Sequence, residues 1–321
     1  MAHPLKNLTL RQLRAFVATL AGGSQAAAAQ RLGVTQPAVT LQLRNLQDLA
    51  GLELLQRTDK GVLPTDAGRA LLELNERIAL ALDDCVQLLE TIKGATGGRV
   101  AVGAVSTAKY FVPATIGAFA QRFPNVEFKL TIGNRSQVMQ GLRDYSLDLA
   151  ITGRPPEDMA LESRLIGDHP NIIIAKAGHP LASRKGLELK ELAHEPFLMR
   201  EPGSGTRQLM QRLTDDAGFQ PKVGMEFDSN ETIKQAVMAG LGIAFISAHT
   251  VASEIEHGRL SVLDVAGLPM VRQWFVLRRI DKRLLPPAAA FQDFLSREAA
   301  RFLPAPFQRN DRPKRSGARL G

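Results

Sequence analysis

Two arginines flank a turn of small residues in the segment REPGSGTR, which runs from Arg200 to Arg207. Such a turn exposes backbone N–H groups and hydroxyls, and a guanidinium binds a phosphate or carboxylate through two parallel hydrogen bonds. A helical pattern follows, and the free N–H groups at a helix start also attract anions. The segment predicts a site for a small anion, although the same residues are also common helix caps.

Further polar residues come directly after apolar, strand-like runs. Ser106 and Thr107 follow VAVGAV, Asn134 follows LTIG, and Thr152 and Arg154 follow LDLAI. In an α/β fold the ligand cleft lies at the carboxyl ends of the strands. We therefore expect these residues to meet the REPGSGTR turn at one cleft.

Neither a metal site nor a catalytic centre is predicted. His169 and His179 have no cysteine near them, so we place His169 at the edge of the cleft and His179 in a turn before Pro180. No G-x-S-x-G elbow, Walker motif or dinucleotide fingerprint is present. The sequence thus predicts neither an enzyme nor a cofactor. The small molecule that it does predict is an anionic effector.

The N-terminal residues have the pattern of three short helices. Thr9, Ser24 and Thr35 each stand where a helix cap is needed, and Pro37 suits a first turn because its missing N–H is not required there. Glycines separate the helices. The second and third helices, between Ser24 and Arg44, are spaced as a helix-turn-helix.

The third helix is the candidate DNA-reading element, because the second helix of such a motif presents its N-terminal side chains to the major groove. Val39, Leu43 and Leu46 are expected to turn inward. Glutamine can pair with adenine, and arginine can reach guanine or phosphate. The predicted DNA contacts are Thr35, Gln36, Pro37, Thr40 and Arg44, with Arg57 and Lys60 on phosphates.

A wing and a long helix follow the motif. LELLQR and VLPT flank TDKG as a strand pair, and Thr65 and Asp66 begin a helix whose apolar residues recur every three or four positions. Cys85 lies on or beside this stripe and is interpreted as a small core residue. The stripe favours dimerisation, and packing of the helix along its own domain is the alternative. The predicted dimer contacts are Leu71, Leu74, Ile78, Leu82 and Leu89.

Composition limits the remaining choices. The chain has 321 residues, 45% of them hydrophobic, and a net charge of +8, which favours polyanionic partners. It has one cysteine and neither an export signal nor an apolar run long enough to span a membrane, so a cytoplasmic protein is expected. Beyond the long helix, alternating strand and helix patterns predict an α/β region with largely parallel sheets, long enough for two lobes.

The run from AFVATLAGG to PTDAG closely resembles the winged helix-turn-helix of the LysR-type transcriptional regulators, above all in S-x-x-x-A-A-x-x-L-x-V-T-Q-P-A-V-T and the closing P-T-x-A-G. The resemblance implies an α/β chain with a winged helix-turn-helix, a linker helix and a two-lobed effector domain similar to type 2 periplasmic binding proteins. The implied boundaries are 8–65 for DNA binding with the motif at 25–44, 66–94 for the linker, 95–302 for the effector domain (lobe I 97–168 and 269–302, lobe II 169–268) and 303–321 for a basic tail.

The resemblance also implies an effector site. Its candidates are the cleft residues named above, together with Ser204, Thr206, Asn230, Glu231 and Ser247. REPGSGTR and SNETIKQAVMAGLGIAFIS most resemble the branch that regulates the RuBisCO operon of the Calvin cycle, which implies ribulose bisphosphate, phosphoenolpyruvate or NADPH as effector. Relatives with G-S-G-T-R turns sense other anions, so another operon stays open.

The implied partners are double-stranded DNA at a partly palindromic operator, a second copy of the chain in a homodimer or homotetramer, and RNA polymerase at the promoter. No membrane partner is expected. A solute-binding protein would share the effector fold but would carry an export signal and no helix-turn-helix. An enzyme on the same α/β fold is the remaining alternative.

Overall fold

The structure is a computed structural model and describes residues 3–59, 61–92 and 97–304. Lys60, the end of the predicted linker at 93–94 and residues 305–321 of the predicted tail lie outside that part. Two compact units are present, Met1–Val86 and Gln87–Gly321. The elements up to the unit boundary are α1 (Leu10–Gly22), α2 (Gln25–Leu32), α3 (Gln36–Ala50), β1 (Leu55–Thr58), β2 (Gly61–Pro64) and α4 (Asp66–Ile92), which extends past it.

Local capping explains where the first helices begin. Thr9 accepts a hydrogen bond from the Gln12 N–H at 3.3 Å, and the Gln12 side chain accepts one from the Thr9 N–H at 2.7 Å. Ser24 caps α2 by accepting from the N–H of Ala27 at 3.1 Å. Thr35 stands at the N-cap position of α3, but its side chain makes no capping bond. The predicted cap is therefore correct in position and wrong in its hydrogen bond.

The second unit alternates strands and helices over 200 residues. None of the helices in the described part of the chain is long and apolar enough to cross a membrane. The elements are β3 (Gly98–Val105), α5 (Val112–Arg122), β4 (Val126–Gly133), α6 (Arg135–Arg143), β5 (Leu149–Thr152), β6 (Leu161–Lys176), β7 (Phe197–Arg200), α7 (Gly205–Asp216), β8 (Val223–Phe227), α8 (Asn230–Met238), β9 (Ala244–Ser247), α9 (Ala252–Glu256), β10 (Leu260–Leu263), β11 (Met270–Arg279) and α10 (Pro286–Glu298).

The prediction of largely parallel sheets is wrong. The main sheet has the order β10-β6-β11-β5-β3-β4, with β9 also on β6. Strand β3 pairs in parallel with β4 and β5, whereas β6 and β11 pair antiparallel with each other and with their other neighbours. The sequence pattern predicted only the apolar NIIIA end of β6. The strand is much longer, and its full length is what allows it to pair with β11.

Strands β6 and β11 connect two hydrophobic cores. Ile166 and Trp274 lie in the core around β3, α5 and α10, which we call lobe I. Further along β6, Ile173 packs in a second core with β7 and α7, and Ile172 packs with α8 on the other face of the strand; we call this part lobe II. The antiparallel pair is thus the connection between the lobes, and a cleft opens beside it.

Two glycines allow the packing of lobe II to be tested. A Cβ at Gly242 would lie 2.2 Å from the carbonyl oxygen of Pro196, whereas one at Gly117, exposed in α5, would meet nothing within 4 Å. We expect Gly242→Ala to destabilise the protein by about 1–3 kcal/mol, because backbone cannot yield as a side chain can. Gly117→Ala should stabilise it by about 0.5–1 kcal/mol. Urea unfolding of both variants measures this, and equal midpoints would contradict the packing.

Candidate functional site

The predicted reading face of α3 is exposed. Thr35, Gln36, Pro37, Thr40 and Arg44 are all solvent-accessible. Their neighbours Val39, Leu43 and Leu46 are at most 5% exposed, which confirms the predicted inward face. The helix therefore offers one polar surface and buries the other.

Some details of this surface were not predicted. The Thr40 hydroxyl is 2.7 Å from Oε1 of Gln25 and 3.0 Å from the carbonyl of Gln36, so its hydrogen is used within the protein. Leu41 is 55% exposed beside it, and such an apolar side chain suits a thymine methyl group. On the wing Arg57 is exposed, while Lys60 lies outside the described residues.

The apolar stripe of α4 divides into two parts. Leu71 is 4% exposed within the N-terminal core, and Leu74 and Ile78 pack against that core. Leu71 is thus unavailable to a partner, which corrects its prediction as a dimer contact. Leu82, Leu89 and the unpredicted Val86 are 45%, 50% and 58% exposed. Cys85 is exposed as well, so its interpretation as a core residue is wrong.

A cavity of about 460 Å³ lies between the two lobes. Its wall includes the N-terminal ends of α6 and α7, where Asn134 and Ser204 cap the helices by accepting from the N–H three residues on. Eight of the twelve predicted effector residues line it. These eight are Ser106, Thr107, Asn134, Thr152, Arg154, Arg200, Ser204 and Thr206.

Four predicted residues do not line the cavity. Arg207 instead pairs with Glu226 and donates to the Arg200 carbonyl. Asn230 and Ser247 are buried behind the wall, at 1% and 0% exposure. Glu231 accepts a hydrogen bond from Tyr110 at 3.2 Å and pairs with Lys234 at 3.1 Å. For direct contact with a ligand these four predictions are wrong, because each side chain is used or enclosed elsewhere.

Arg200 lines the cavity but is already saturated. Its guanidinium binds both carboxylate oxygens of Glu201, at 2.7 and 3.0 Å, and donates to Oδ1 of Asn230 at 2.6 Å. The remaining bonds go to Ser106 Oγ at 3.2 Å and to the Asp228 carbonyl at 3.3 Å. A guanidinium has five N–H donors, so none is left for an anion. The structure assigns Arg200 the task of holding Ser106 in place across the lobes.

Other arginines supply the positive charge. Arg135, Arg212 and Arg272 line the cavity together with Arg154, which pairs with Glu157 at 2.9 Å. Burial, and then repulsion from Arg212, lowers the pKa of Arg135. Among the described residues, the guanidinium groups of Arg212 and Arg272 make neither a hydrogen bond nor an ion pair. An anion entering the cavity would therefore meet unpaired guanidinium groups.

A neighbouring part of the wall is aromatic and neutral. His169 lines the cavity, as predicted, and its ring stacks on Trp274 with centroids 3.8 Å apart. The indole N–H of Trp274 donates to Nδ1 of His249 at 3.2 Å. Burial lowers the pKa of His169 to about 3 and that of His249 to about 4. Both rings are uncharged near neutral pH, so they add no positive charge.

Sequence reasoning missed two of the cavity arginines, Arg212 and Arg272. Arg272 and Trp274 occur in RQWFVL, which was predicted only as a strand. Their spacing of two residues places them on one face of β11, and an arginine on that face of a partly buried strand is the available signal. Arg135 did have a signal, because it follows the strand-like run LTIG together with Asn134, whereas Arg212 lies in the second half of α7 and has no comparable signal.

Two protein-family models match this chain, one near each end, in agreement with its two compact units. Residues 10–69 match the model of the bacterial regulatory helix-turn-helix protein, lysR family, and residues 93–300 match the LysR substrate binding domain. The chain is 51% identical over 298 residues to the HTH-type transcriptional regulator CbbR of Xanthobacter flavus, covering 92% of this chain and 90% of that one. It is 41% identical over 295 residues to the RuBisCO operon transcriptional regulator of Allochromatium vinosum, covering 92% and 98%.

One solved structure resembles the second unit. The Synechocystis PCC6803 CcmR regulatory domain, in complex with 2-PG, is 37% identical and has a TM-score of 0.60. The likeness covers 62% of this chain and 96% of that domain. Both the N-terminal and the C-terminal parts of the chain thus have relatives of known type.

Proposed function

This chain belongs to the LysR family of bacterial transcriptional regulators, and from that premise we propose that it controls carbon-fixation genes in response to a small anionic metabolite. The response to an anionic metabolite is supported by one observation: Arg135, Arg212 and Arg272 line the same cavity. Two of these side chains are unpaired among the described residues, and guanidinium groups bind phosphates and carboxylates through paired hydrogen bonds.

The genes are proposed from the relatives. Regulators at 51% and 41% identity over more than 90% of this chain are named for CbbR and for the RuBisCO operon. The candidate effectors are ribulose bisphosphate, phosphoenolpyruvate and NADPH, and the 2-PG bound by the CcmR domain adds a fourth compound of the same anionic class. Double-stranded DNA at a partly palindromic operator is the proposed macromolecular partner, with RNA polymerase at the promoter.

The proposed mechanism is a population shift between lobe arrangements. Arg135 belongs to α6 of lobe I, and Arg212 belongs to α7 of lobe II. Hydrogen bonds already cross the cleft: the Ser136 N–H donates to the Gly203 carbonyl at 3.3 Å, and Arg200 reaches Ser106. An anion held from both sides would favour the arrangement in which the lobes are closest, and the subunits would adjust with it.

Footprinting tests the proposal as a whole. We expect the protein to protect a partly palindromic site upstream of a RuBisCO operon, and we expect one of the four candidate effectors to change the protected region. A thermal-shift panel of the same compounds identifies the ligand, because binding to the folded state raises the midpoint. Protection of only unrelated operons would contradict the carbon-fixation assignment, and no response to any anion would contradict the effector assignment.

Self-association is proposed to use the exposed stripe of α4. Replacing Leu82, Val86 and Leu89 together by Glu should convert the oligomer to monomers. The free energy needed to bury three unpaired carboxylates exceeds the free energy that the interface contributes. The control is Asp83→Ala, at an exposed position between them. Light scattering during size-exclusion chromatography measures the mass, and an unchanged mass in the triple variant would place the interface elsewhere.

The domain boundaries also stay a proposal. We propose 8–65 for DNA binding, 66–94 for the linker helix and 95–302 for the effector domain. They are supported by the division of the chain after Val86 and by the matches to 10–69 and 93–300.

A further inference from the structure

Three buried polar atoms have no partner in the described part of the chain. They are Nε2 of His169, Oδ1 of Asn171 and Oγ of Ser247. His169 and Asn171 are two positions apart on β6, so their side chains leave the same face, and Ser247 of β9 is the register partner of Asn171. We call these three side chains the polar trio.

Two members of the polar trio lie at the cavity, and Ser247 lies beside Asn171 on the neighbouring strand. His169 and Asn171 line the wall, Asn171 is 1% exposed and Ser247 is fully buried. The first two side chains are also held in position. His169 stacks on Trp274, and the amide nitrogen of Asn171 donates to the His169 carbonyl at 3.0 Å, which leaves Oδ1 as the free acceptor.

The free amide oxygen of Asn171 disfavours an anionic group at this position. An amide oxygen repels another oxygen that has no hydrogen to donate, and the His169 ring is neutral because burial holds its pKa near 3. A hydroxyl group matches Nε2 of His169 and Oδ1 of Asn171, since it donates one hydrogen bond and accepts others. Buried polar atoms in proteins almost always have a partner, so an acceptor aimed into a ligand cavity indicates what the ligand carries.

The trio adjoins the cationic part of the cavity. His169 and Arg272 are register partners on β6 and β11, so their side chains leave the sheet on one face. A ligand whose anionic group is bound by Arg272 would thus place its neighbouring atoms beside His169 and Asn171. We propose that His169 and Asn171 of the polar trio form a hydroxyl subsite, so that the effector is a phosphorylated or carboxylated compound that also carries a hydroxyl group. This inference rests on the anionic effector proposed above.

Matched ligands test it by calorimetry on the full chain. One pair is ribulose 1,5-bisphosphate and pentane-1,5-diyl bisphosphate, and the other is sn-glycerol 3-phosphate and n-propyl phosphate. Within each pair the phosphates and the carbon count are equal, and only the oxygen substituents on the carbon chain differ. We expect the hydroxylated member of at least one pair to bind about tenfold tighter or more, because the other leaves buried acceptors unpaired.

Two variants locate the preference. Asn171→Leu removes the acceptor at nearly constant size, and His169→Phe removes Nε2 while keeping a ring to stack on Trp274. Each should bring the preference to within about twofold by weakening the hydroxylated ligand more than the hydroxyl-free one, since the arginines that bind both stay in place. His169→Phe should also have an unaltered or higher melting temperature without ligand. Asn45→Leu, exposed in the N-terminal unit, is the matched control and should keep the preference.

The outcomes separate this inference from the proposed function. Equal binding of both members of each pair overturns the hydroxyl subsite but leaves the anion cavity standing, with ordered water serving the buried atoms. A preference that survives in both variants places the hydroxyl contact elsewhere and also overturns it. If no phosphate binds to the folded protein, the anionic effector fails and the subsite fails with it.

Discussion

Alanine at both Gln36 and Arg44 is expected to abolish specific operator binding, with a loss of about 100-fold or more, because each good side-chain pair with a base is worth about 1–3 kcal/mol. Both side chains are exposed on α3, whose opposite face is buried. The core is untouched, so stability should change little. Fluorescence anisotropy with operator and scrambled duplexes measures the effect, and binding to the scrambled duplex should fall much less.

The control for this experiment lies on the same helix. Asp48 is exposed in the last turn of α3, away from the predicted groove-facing end, so Asp48→Asn should retain specific binding. Full specificity in the Gln36 and Arg44 double variant would mean that α3 does not read the bases. In that case the exposed Leu41 and the wing would be the next residues to replace.

Glutamine at both Arg212 and Arg272 should weaken binding of the anionic effector by about 100-fold or more, since a hydrogen bond to a charged group contributes about 1.5–3 kcal/mol. Among the described residues both guanidiniums lack a protein partner, so their loss leaves no group uncompensated inside the fold. The melting temperature without ligand should therefore stay close to that of the unaltered protein. Calorimetric titration with the effector identified by thermal shift measures the affinity.

Arg207→Gln is the matched control, because Arg207 lies on the same helix α7 but outside the cavity. It pairs with the half-exposed Glu226, and such surface pairs contribute about 0–1 kcal/mol to stability. Its effector affinity should be unchanged. A loss in Arg207→Gln equal to that in the double variant would contradict the assignment of cavity residues made from the structure.

The N-terminal unit could be predicted well because its determinants are local. The caps at Thr9 and Ser24 and the inward face through Val39 depend on residues a few positions apart, and the structure confirms each. Helix periodicity alone also divides α3 into two faces. It could not divide the stripe of α4, because burial of Leu71 and exposure of Leu82 depend on where the packed N-terminal core ends.

The cavity was predicted in place, with Arg154 and Arg200 on its wall, but its unpaired arginines, Arg212 and Arg272, were not predicted. Arg200 and Arg207 were the most conspicuous arginines, and the fold gives both of them protein partners, from Ser106, Asn230 and Glu226. Whether a guanidinium is free depends on acceptors that are up to 94 residues away in the chain, as Ser106 is from Arg200. No spacing in the sequence encodes that distance.

The sequence by itself therefore determined the helix-turn-helix, the exposed polar face of its second helix and the position of a polar cleft, because short-range periodicity, caps and polar residues after strands carry that information. The tertiary structure alone decided which arginines face the cleft without a partner, that β6 and β11 pair antiparallel between the lobes, and that His169, Asn171 and Ser247 come together. The physical reason is that a buried group's free energy depends on its final neighbours, and these are brought together only when distant segments pack.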